Sequence, residues 1–186
     1  MGFRGNRGRF AVGPVDNVRG SMLLQTLDTF SGASVDTAIW NVTTYGAATP
    51  TVSGGQLHQT INATNDSGSQ VSLKVYDLKT KSDNSYVEVN VISMAQNSDG
   101  NGVGIYVWNT AGTRITLYFI SRGTSVGATT IKFVKSGTDI LWYKDTVYQA
   151  TINCSTLSEW FVGFYCRAAG LDSGSYTNID SVYAYS

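Results

Sequence analysis

The chain contains one histidine, His58, together with two cysteines, two prolines and two glutamates, Glu88 and Glu159. One histidine and two cysteines cannot furnish the nitrogen and sulfur ligand sets of zinc, haem or an iron–sulfur cluster. No cofactor is therefore expected, and a metal would have to rest on oxygen ligands. Charged residues are only 14% of the 186 positions, against roughly 25% in an average soluble chain. So little glutamate argues against a helical bundle or a coiled coil. No stretch approaches the roughly 18 apolar residues of a membrane span, and the first 22 residues lack the apolar run of a secretion signal. The sequence thus predicts no membrane partner and synthesis in the cytoplasm.

What is abundant is Gly, Tyr, Ser, Thr and Asn, with 42% hydrophobic residues, enough for one sizeable core. The formal charge is zero, but it is unevenly spread. Residues 1–22 hold Arg4, Arg7, Arg9 and Arg19 against Asp16, a net of +3, whereas residues 23–186 carry nine basic and twelve acidic groups, a net of −3. The first segment, Met-Gly-Phe-Arg-Gly-Asn-Arg-Gly-Arg-Phe onward, has no hydrophobic period of either kind. It reads as an extended basic arm that orders only by lying along its own domain, a sister copy or a larger partner. Phe3 and Phe10 would be its apolar anchors, with Arg4, Arg7, Arg9 and Arg19 pairing with carboxylates.

From Met22 onward the pattern alternates with period two and is broken every 8–12 residues by Gly, Asn, Asp or Ser, the signature of an antiparallel sandwich. Val71, Leu73 and Val75 are expected on one face with Ser72, Lys74 and Tyr76 on the other. Val87, Val89 and Val91 oppose Tyr86, Glu88 and Asn90, and Ile115, Leu117 and Phe119 oppose Thr116 and Tyr118. Turns are legible at Ser53-Gly54-Gly55, Asn109-Thr110-Ala111-Gly112 and Lys135-Ser136-Gly137. The expectation is an all-β sandwich of ten to twelve strands at 23–186, with a helical turn only at 36–40 or 156–160.

Several segments carry a resemblance. Asp28-Thr-Phe30, Asp36, Trp40 and Val52-Ser-Gly-Gly-Gln-Leu57, with the closing Trp160-Phe-Val-Gly-Phe-Tyr165 and Asn178-Ile-Asp-Ser-Val-Tyr-Ala-Tyr185, resemble the concanavalin A-like lectin/glucanase jelly rolls. The similarity covers roughly 28–186 and implies a two-sheet antiparallel jelly roll. It does not imply one function, because that architecture hosts lectins, glycosidases, carbohydrate-binding modules and virion proteins.

A glycosidase on this scaffold needs two carboxyl groups flanking the scissile bond, and hydrolases of the superfamily set them on one strand as Glu-x-Asp-x-x-Glu. Around Glu88 the chain reads Glu-Val-Asn-Val-Ile-Ser, which lacks the later acids. Glu159 reads as a solvated turn residue beside Trp160. No Gly-x-Ser-x-Gly elbow accompanies His58, so His58 reads as a surface residue and the protein is expected not to be an enzyme. Cys154 and Cys166 should lie out of register on adjoining strands and stay unpaired, with Cys166 packing beside Val162 and Phe164. Asn65-Asp66, Asn97-Ser-Asp99-Gly-Asn101 and Asp172-Ser-Gly174 offer oxygens to calcium but fit ordinary hairpin loops better. Trp108, Trp142 and Tyr143 are candidate ligand or interface aromatics.

Together these readings predict a structural protein of a large assembly, made in a host cytoplasm. The chain looks like a tailed-phage virion protein that decorates the capsid or belongs to the tail, anchored to capsid or tail subunits through its arm. A homo-oligomer and glycan contact by the exposed body are expected, and four arginines on an acidic body make nucleic acid a poor partner. The alternative is a carbohydrate-binding, lectin-like module.

Overall fold

The computed structural model describes residues 23–46, 48–61, 67–97, 102–168 and 174–186. The arm residues Phe3, Arg4, Arg7, Arg9, Phe10 and Arg19 lie outside them, as do Asn65, Asp66, Asp99, Asn101 and Asp172 of the loops weighed for calcium. Fourteen strands are formed: β1 (Leu24–Asp28), β2 (Trp40–Tyr45), β3 (Thr51–Ser53), β4 (Gln56–Thr60), β5 (Ser67–Leu73), β6 (Tyr86–Gln96), β7 (Gly102–Trp108), β8 (Arg114–Ile120), β9 (Thr124–Val126), β10 (Thr129–Ser136), β11 (Asp139–Lys144), β12 (Val147–Asn153), β13 (Phe161–Ala168) and β14 (Tyr176–Tyr185). The excess over ten to twelve comes from short pieces such as β3 and β9, which are too brief to show a period. The one 3₁₀ helix among the described residues is at Leu78–Thr80, outside both segments expected to hold a helical turn, but at 36–40 the Asp36 carbonyl accepts the Ile39 and Trp40 amides at 3.1 and 2.9 Å, a single turn as expected. Asp77 caps the 3₁₀ helix, accepting from the Lys79 amide at 3.0 Å and the Trp160 amide at 2.7 Å.

Every strand pairing is antiparallel, and the strands form two sheets. The larger has nine strands in the order β12-β11-β10-β6-β14-β4-β3, with β1 added to β14 and β9 to β6. The smaller runs β2-β5-β13-β7-β8. The chain is thus an all-β, two-sheet antiparallel jelly-roll sandwich, as the alternation predicted. Between the sheets Val87, Val89 and Val91 of β6 and Val103, Ile105 and Val107 of β7 meet Val71, Leu73, Val162 and Phe164, all buried. The three expected turns form hairpins at Gly54, Gly112 and Gly137, each with the positive φ that glycine tolerates.

The opening motif has a physical job. Asp28 accepts the Phe30 amide through Oδ1 and the Trp40 indole through Oδ2, both at 2.7 Å. Phe30 and Trp40 stack with ring centres 5.7 Å apart, and Trp40 meets Phe164 at 5.6 Å. The carboxylate therefore satisfies two donors at the mouth of an aromatic core that would otherwise be orphaned.

Four positions depart from the expected alternation. Val75 is 52% exposed while Tyr76 is buried, because β5 ends at Leu73 and the chain then turns: Lys74 N–H bonds the Ile39 carbonyl, and the Tyr76 hydroxyl donates to the Tyr185 carbonyl at 3.0 Å. Phe119 is 48% exposed and Tyr118 packs inward against Trp142. There the register of β7 with β8 shifts between Ile105 and Tyr106, and this bulge flips the faces beyond Leu117. Cys154 and Cys166 are free and buried, with Cys166 on the core side beside Val162 and Phe164, as expected, but the strands are not adjoining: β12 edges the nine-stranded sheet and β13 lies in the five-stranded one, because the chain crosses between sheets after Cys154.

Candidate functional site: the outer face of the five-stranded sheet

Alternation that sends Val103, Ile105, Val107, Val162, Phe164 and Cys166 inward must send their neighbours outward. On most solvated strands those neighbours are Thr, Lys or Glu. Here they are Gly102, Gly104, Tyr106 and Trp108 on β7, and Gly163, Tyr165 and Arg167 on β13. The registers bring them side by side: Tyr106 pairs with Gly163, Tyr165 lies between Gly104 and Gln70, and Arg167 lies between Gly102 and Gly68. A ring on one strand is thus flanked by a glycine on the next. A Cβ on Gly163 would sit 3.0 Å from Cζ and Oη of Tyr106, so the glycine is what lets that tyrosine settle on the sheet.

The result is an aromatic floor carrying cations. Tyr106 and Tyr165 meet edge to face with centres 6.2 Å apart. The Arg114 guanidinium from β8 lies 4.6 Å above the Tyr165 ring, and that of Arg167 lies 3.8 Å above Tyr45 of β2. Over this floor runs an open groove of about 390 Å³, lined by Thr43, Tyr45, Gln70, Trp108, Gly112, Arg114 and Arg167. A smaller hollow of about 60 Å³ adjoins it at Arg114 and reaches Tyr106, Tyr165, Thr116 and Phe119. Among the described residues that line them, none is an acid.

Among the described residues, five buried side-chain polar atoms lack a hydrogen bond of good geometry, and three of them, Tyr106 Oη, Tyr165 Oη and Trp108 Nε1, belong to this face, although Ser72 lies close to the first and Arg114 and Arg167 to the second. Orphaned buried polar atoms are costly, so their concentration marks a place where a ligand or water completes the bonding. Burial holds the Tyr106 hydroxyl well above its ordinary pKa, against an opposing pull from Arg114 and Ser72. Burial likewise raises Tyr165, again against Arg114 and Arg167. Both phenols are therefore neutral at physiological pH and present O–H donors.

The candidate residues of the sequence fall in three separate places. Trp108 belongs to the groove. Trp142 of β11 is half-buried and packs on Tyr118, 5.4 Å between ring centres, at the edge of the core. Tyr143 lies in the nine-stranded sheet against Tyr148 at 5.7 Å, beneath Lys132. Glu88 sits in that same sheet, opposite Lys132 in register. Glu159 is no free turn residue: its Oε2 accepts from the Thr110 amide at 2.9 Å and the Thr110 hydroxyl at 2.5 Å. Those bonds hold its carboxyl below the usual range and pin it to the turn that carries Gly112. His58 is tied between Asn178 Oδ1 at 2.9 Å and the Ser53 carbonyl at 3.2 Å. No cluster of His, Cys, Asp or Glu suited to a metal occurs among the described residues.

No family model matches the chain, and no curated protein matches it by sequence. Solved structures do match. The laminarinase catalytic domain from Thermotoga maritima is similar with a TM-score of 0.61 and 10% identity, covering 88% of this chain and 96% of that one. This chain has a concanavalin A-like jelly-roll fold. A β-1,3-1,4-glucanase (lichenase) from a mouse hindgut metagenome matches at TM-score 0.57 and 10% identity, over 88% of this chain and 98% of its own. Porphyranase B from Zobellia galactanivorans matches at TM-score 0.53 and 12% identity, over 93% and 97%. At such identities the likeness establishes the fold alone. It nevertheless overturns the expectation that the protein is not an enzyme: the neighbours on this scaffold are glycoside hydrolases, so the absence of Glu-x-Asp-x-x-Glu from the chain is no ground for denying catalysis. A phage origin gains no support from these neighbours.

Proposed function

We propose that this jelly roll recognises carbohydrate, with the outer face of the five-stranded sheet as its binding surface. The observation that carries this reading is the groove itself, where Trp108 offers an aromatic ring for sugar stacking and its indole N–H is buried without a partner. The named neighbours, a laminarinase, a lichenase and a porphyranase, support it as proteins that cleave glycans on the same scaffold. The virion reading rests on the arm at residues 1–22 and draws nothing from those neighbours.

Affinity electrophoresis of the full chain through gels containing β-1,3-glucan, mixed-linkage β-glucan or porphyran tests the reading. Retardation that Trp108→Ala abolishes, while Tyr143→Ala on the opposite sheet leaves it intact, is the expected result. Equal retardation of both variants, or none of the native chain on a broader glycan array, refutes it. New reducing ends appearing in the same glycans would report that recognition is coupled to cleavage.

A further inference from the structure

Alternation sends Val87, Val89, Ile131, Phe133, Ile140 and Val182 into the core, so the residues between them form the outer face of the nine-stranded sheet. Leu24 of β1 is the register partner of Tyr185, Tyr185 of Tyr86, Tyr86 of Val134 and Val134 of Leu141. Neighbouring strands β1, β14, β6, β10 and β11 thus set aliphatic or aromatic side chains in one row across that face, about 19 Å long at a strand spacing of about 4.8 Å. Leu24 is 56% exposed, and the other four are half-buried. Tyr86 and Tyr185 stack with centres 4.2 Å apart and so cover a face of each other. The row therefore offers packing surface rather than open ring faces for a sugar, and a contiguous apolar row on a solvated sheet marks a contact surface.

The row starts where residues 1–22 join the body. The Leu23 amide donates to the Ser186 carbonyl at 3.0 Å, and Leu24 opens β1 as the first member of the row. We infer that residues 1–22 turn back over this face and seat Phe10 against Val134 and Leu141, so that the row is occupied by the chain's own basic arm. Phe10 precedes Leu23 by 13 residues, which span up to about 43 Å when extended, about twice the length of the row. Gly20 and Ser21 supply turn-forming residues at the point of reversal. Charge draws the arm to the body, +3 against −3, but it does not select a face, because Lys132 lies opposite Glu88 here. The apolar row selects it. Tethering makes one aromatic contact sufficient, since a side chain on so short a linker meets the face at an effective concentration of about millimolar order. The inference stands apart from the carbohydrate reading, whose groove lies on the other sheet.

Paramagnetic relaxation in the full chain tests this. A nitroxide is placed at Arg9→Cys, beside Phe10; Cys154 and Cys166 are buried, so the new thiol takes the label. Amides of Tyr86, Val134 and Leu141 should lose most of their signal, while those of β7 and β13 keep theirs. Phe10→Ala in the same labelled chain should restore the signals, and Phe10→Leu should largely preserve the loss. The loss should also persist at about 0.5 M NaCl, where attraction between separated charges is screened. A second nitroxide at Asn6→Cys, which removes no charge, repeats the test should the loss of Arg9 itself disturb docking. Unchanged spectra for the inner residues of β5 and β13 establish that the variants are folded. Signal loss on the groove side of β7 and β13 instead, or at no site beyond β1, overturns the inference. So does a loss that Phe10→Ala leaves intact or that salt abolishes. Spin-labelled chains mixed with isotope-enriched, unlabelled ones give the last outcome: signal loss at Tyr86, Val134 and Leu141 as strong as in the single-chain experiment means that the arm reaches a second copy, and overturns the inference as well.

Discussion

Replacing Gly163 by alanine should damage both stability and binding, and the size of the effect follows from the sheet. Gly163 lies on β13 and has no left-handed φ, so the backbone itself accepts a side chain. In an unobstructed strand the substitution would stabilise by about 0.5–1 kcal/mol, through the reduced freedom of the unfolded chain. Here the added Cβ would stand 2.7 Å from Cβ of Ser72, its register partner on β5, and 3.0 Å from Cζ and Oη of Tyr106. The Ser72 atom is fixed to backbone, and Tyr106 is 3% exposed with little room to withdraw. Overpacking of this kind costs about 1–3 kcal/mol, which leaves a net loss of about 1–2 kcal/mol and lowers the melting temperature by roughly 2–8 °C for a chain of this size. Urea unfolding is the assay, read as a fall in midpoint at unchanged slope. The double variant Gly163→Ala/Ser72→Gly moves the methyl-sized group from one strand to its partner and should recover part of the loss, and Gly163→Ala/Tyr106→Leu should recover stability without recovering glycan binding. If Gly163→Ala alone is as stable as the native chain, or if neither second change relieves it, the account of glycine as the seat of Tyr106 is wrong.

Asp28→Ala should cost about 3 kcal/mol, since a charged acceptor is withdrawn from both the Phe30 amide and the buried Trp40 indole; a midpoint shift in urea worth less than about 1 kcal/mol would contradict the bonding described. Asp28→Asn should recover at most half of it, because the amide nitrogen must face one of two donors. Tyr86 has its hydroxyl pushed up to about 12, first by burial and then by Tyr185 and Glu88. A phenol whose folded pKa is raised contributes stability that is complete below about pH 10 and is lost as pH rises towards 12. Tyr86→Phe should therefore flatten the alkaline fall in stability over that window, and a profile identical to the native one would count against it. Burial, then Asp139, raises the Cys154 thiol to about 12, and Cys166 is also buried, so neither should react with a thiol reagent in the native protein at neutral pH. Two equivalents should appear in denaturant, and prompt labelling of the folded chain would refute the burial.

Much of the fold was legible because alternation is a local property. Val87, Val89 and Val91 need only their neighbours to declare a buried face, and Gly54, Gly112 and Gly137 declare their turns by composition alone. The errors arose where tertiary contacts override the period. Nothing local to Val75 says that β5 stops at Leu73, since the stop is made by the Ile39 carbonyl and by Tyr185 at the far end of the chain. Nothing local to Phe119 announces the bulge, which exists only in the pairing of β8 with β7. The groove was harder still. Trp108 was legible as an outward aromatic, but Tyr45, Gln70, Arg114 and Arg167 come from four other strands and meet only through register. One signal was present in the sequence all the same: outward positions in Gly102-Val-Gly-Ile-Tyr-Val-Trp108 and Gly163-Phe-Tyr-Cys-Arg167 are glycine, aromatic or arginine where an idle solvated face would carry Thr, Lys or Glu.

The two outer faces of the sandwich explain why chemistry should be sought on only one of them. The nine-stranded sheet also presents aromatic rings: Tyr86 stacks on Tyr185 with centres 4.2 Å apart, and the Lys132 ammonium lies 4.9 Å from Tyr86 and 5.3 Å from Tyr143. There, however, Lys132 stands opposite Glu88 in register. Charge is balanced within the face and the rings are occupied by one another. The five-stranded sheet has the same kinds of side chain in a different balance. Its guanidiniums also rest on rings, and its glycines open a hollow where the other sheet has filled its surface. Three buried polar atoms on that side lack a hydrogen bond of good geometry. A folded chain tolerates such a deficit only where solvent or a ligand makes it good.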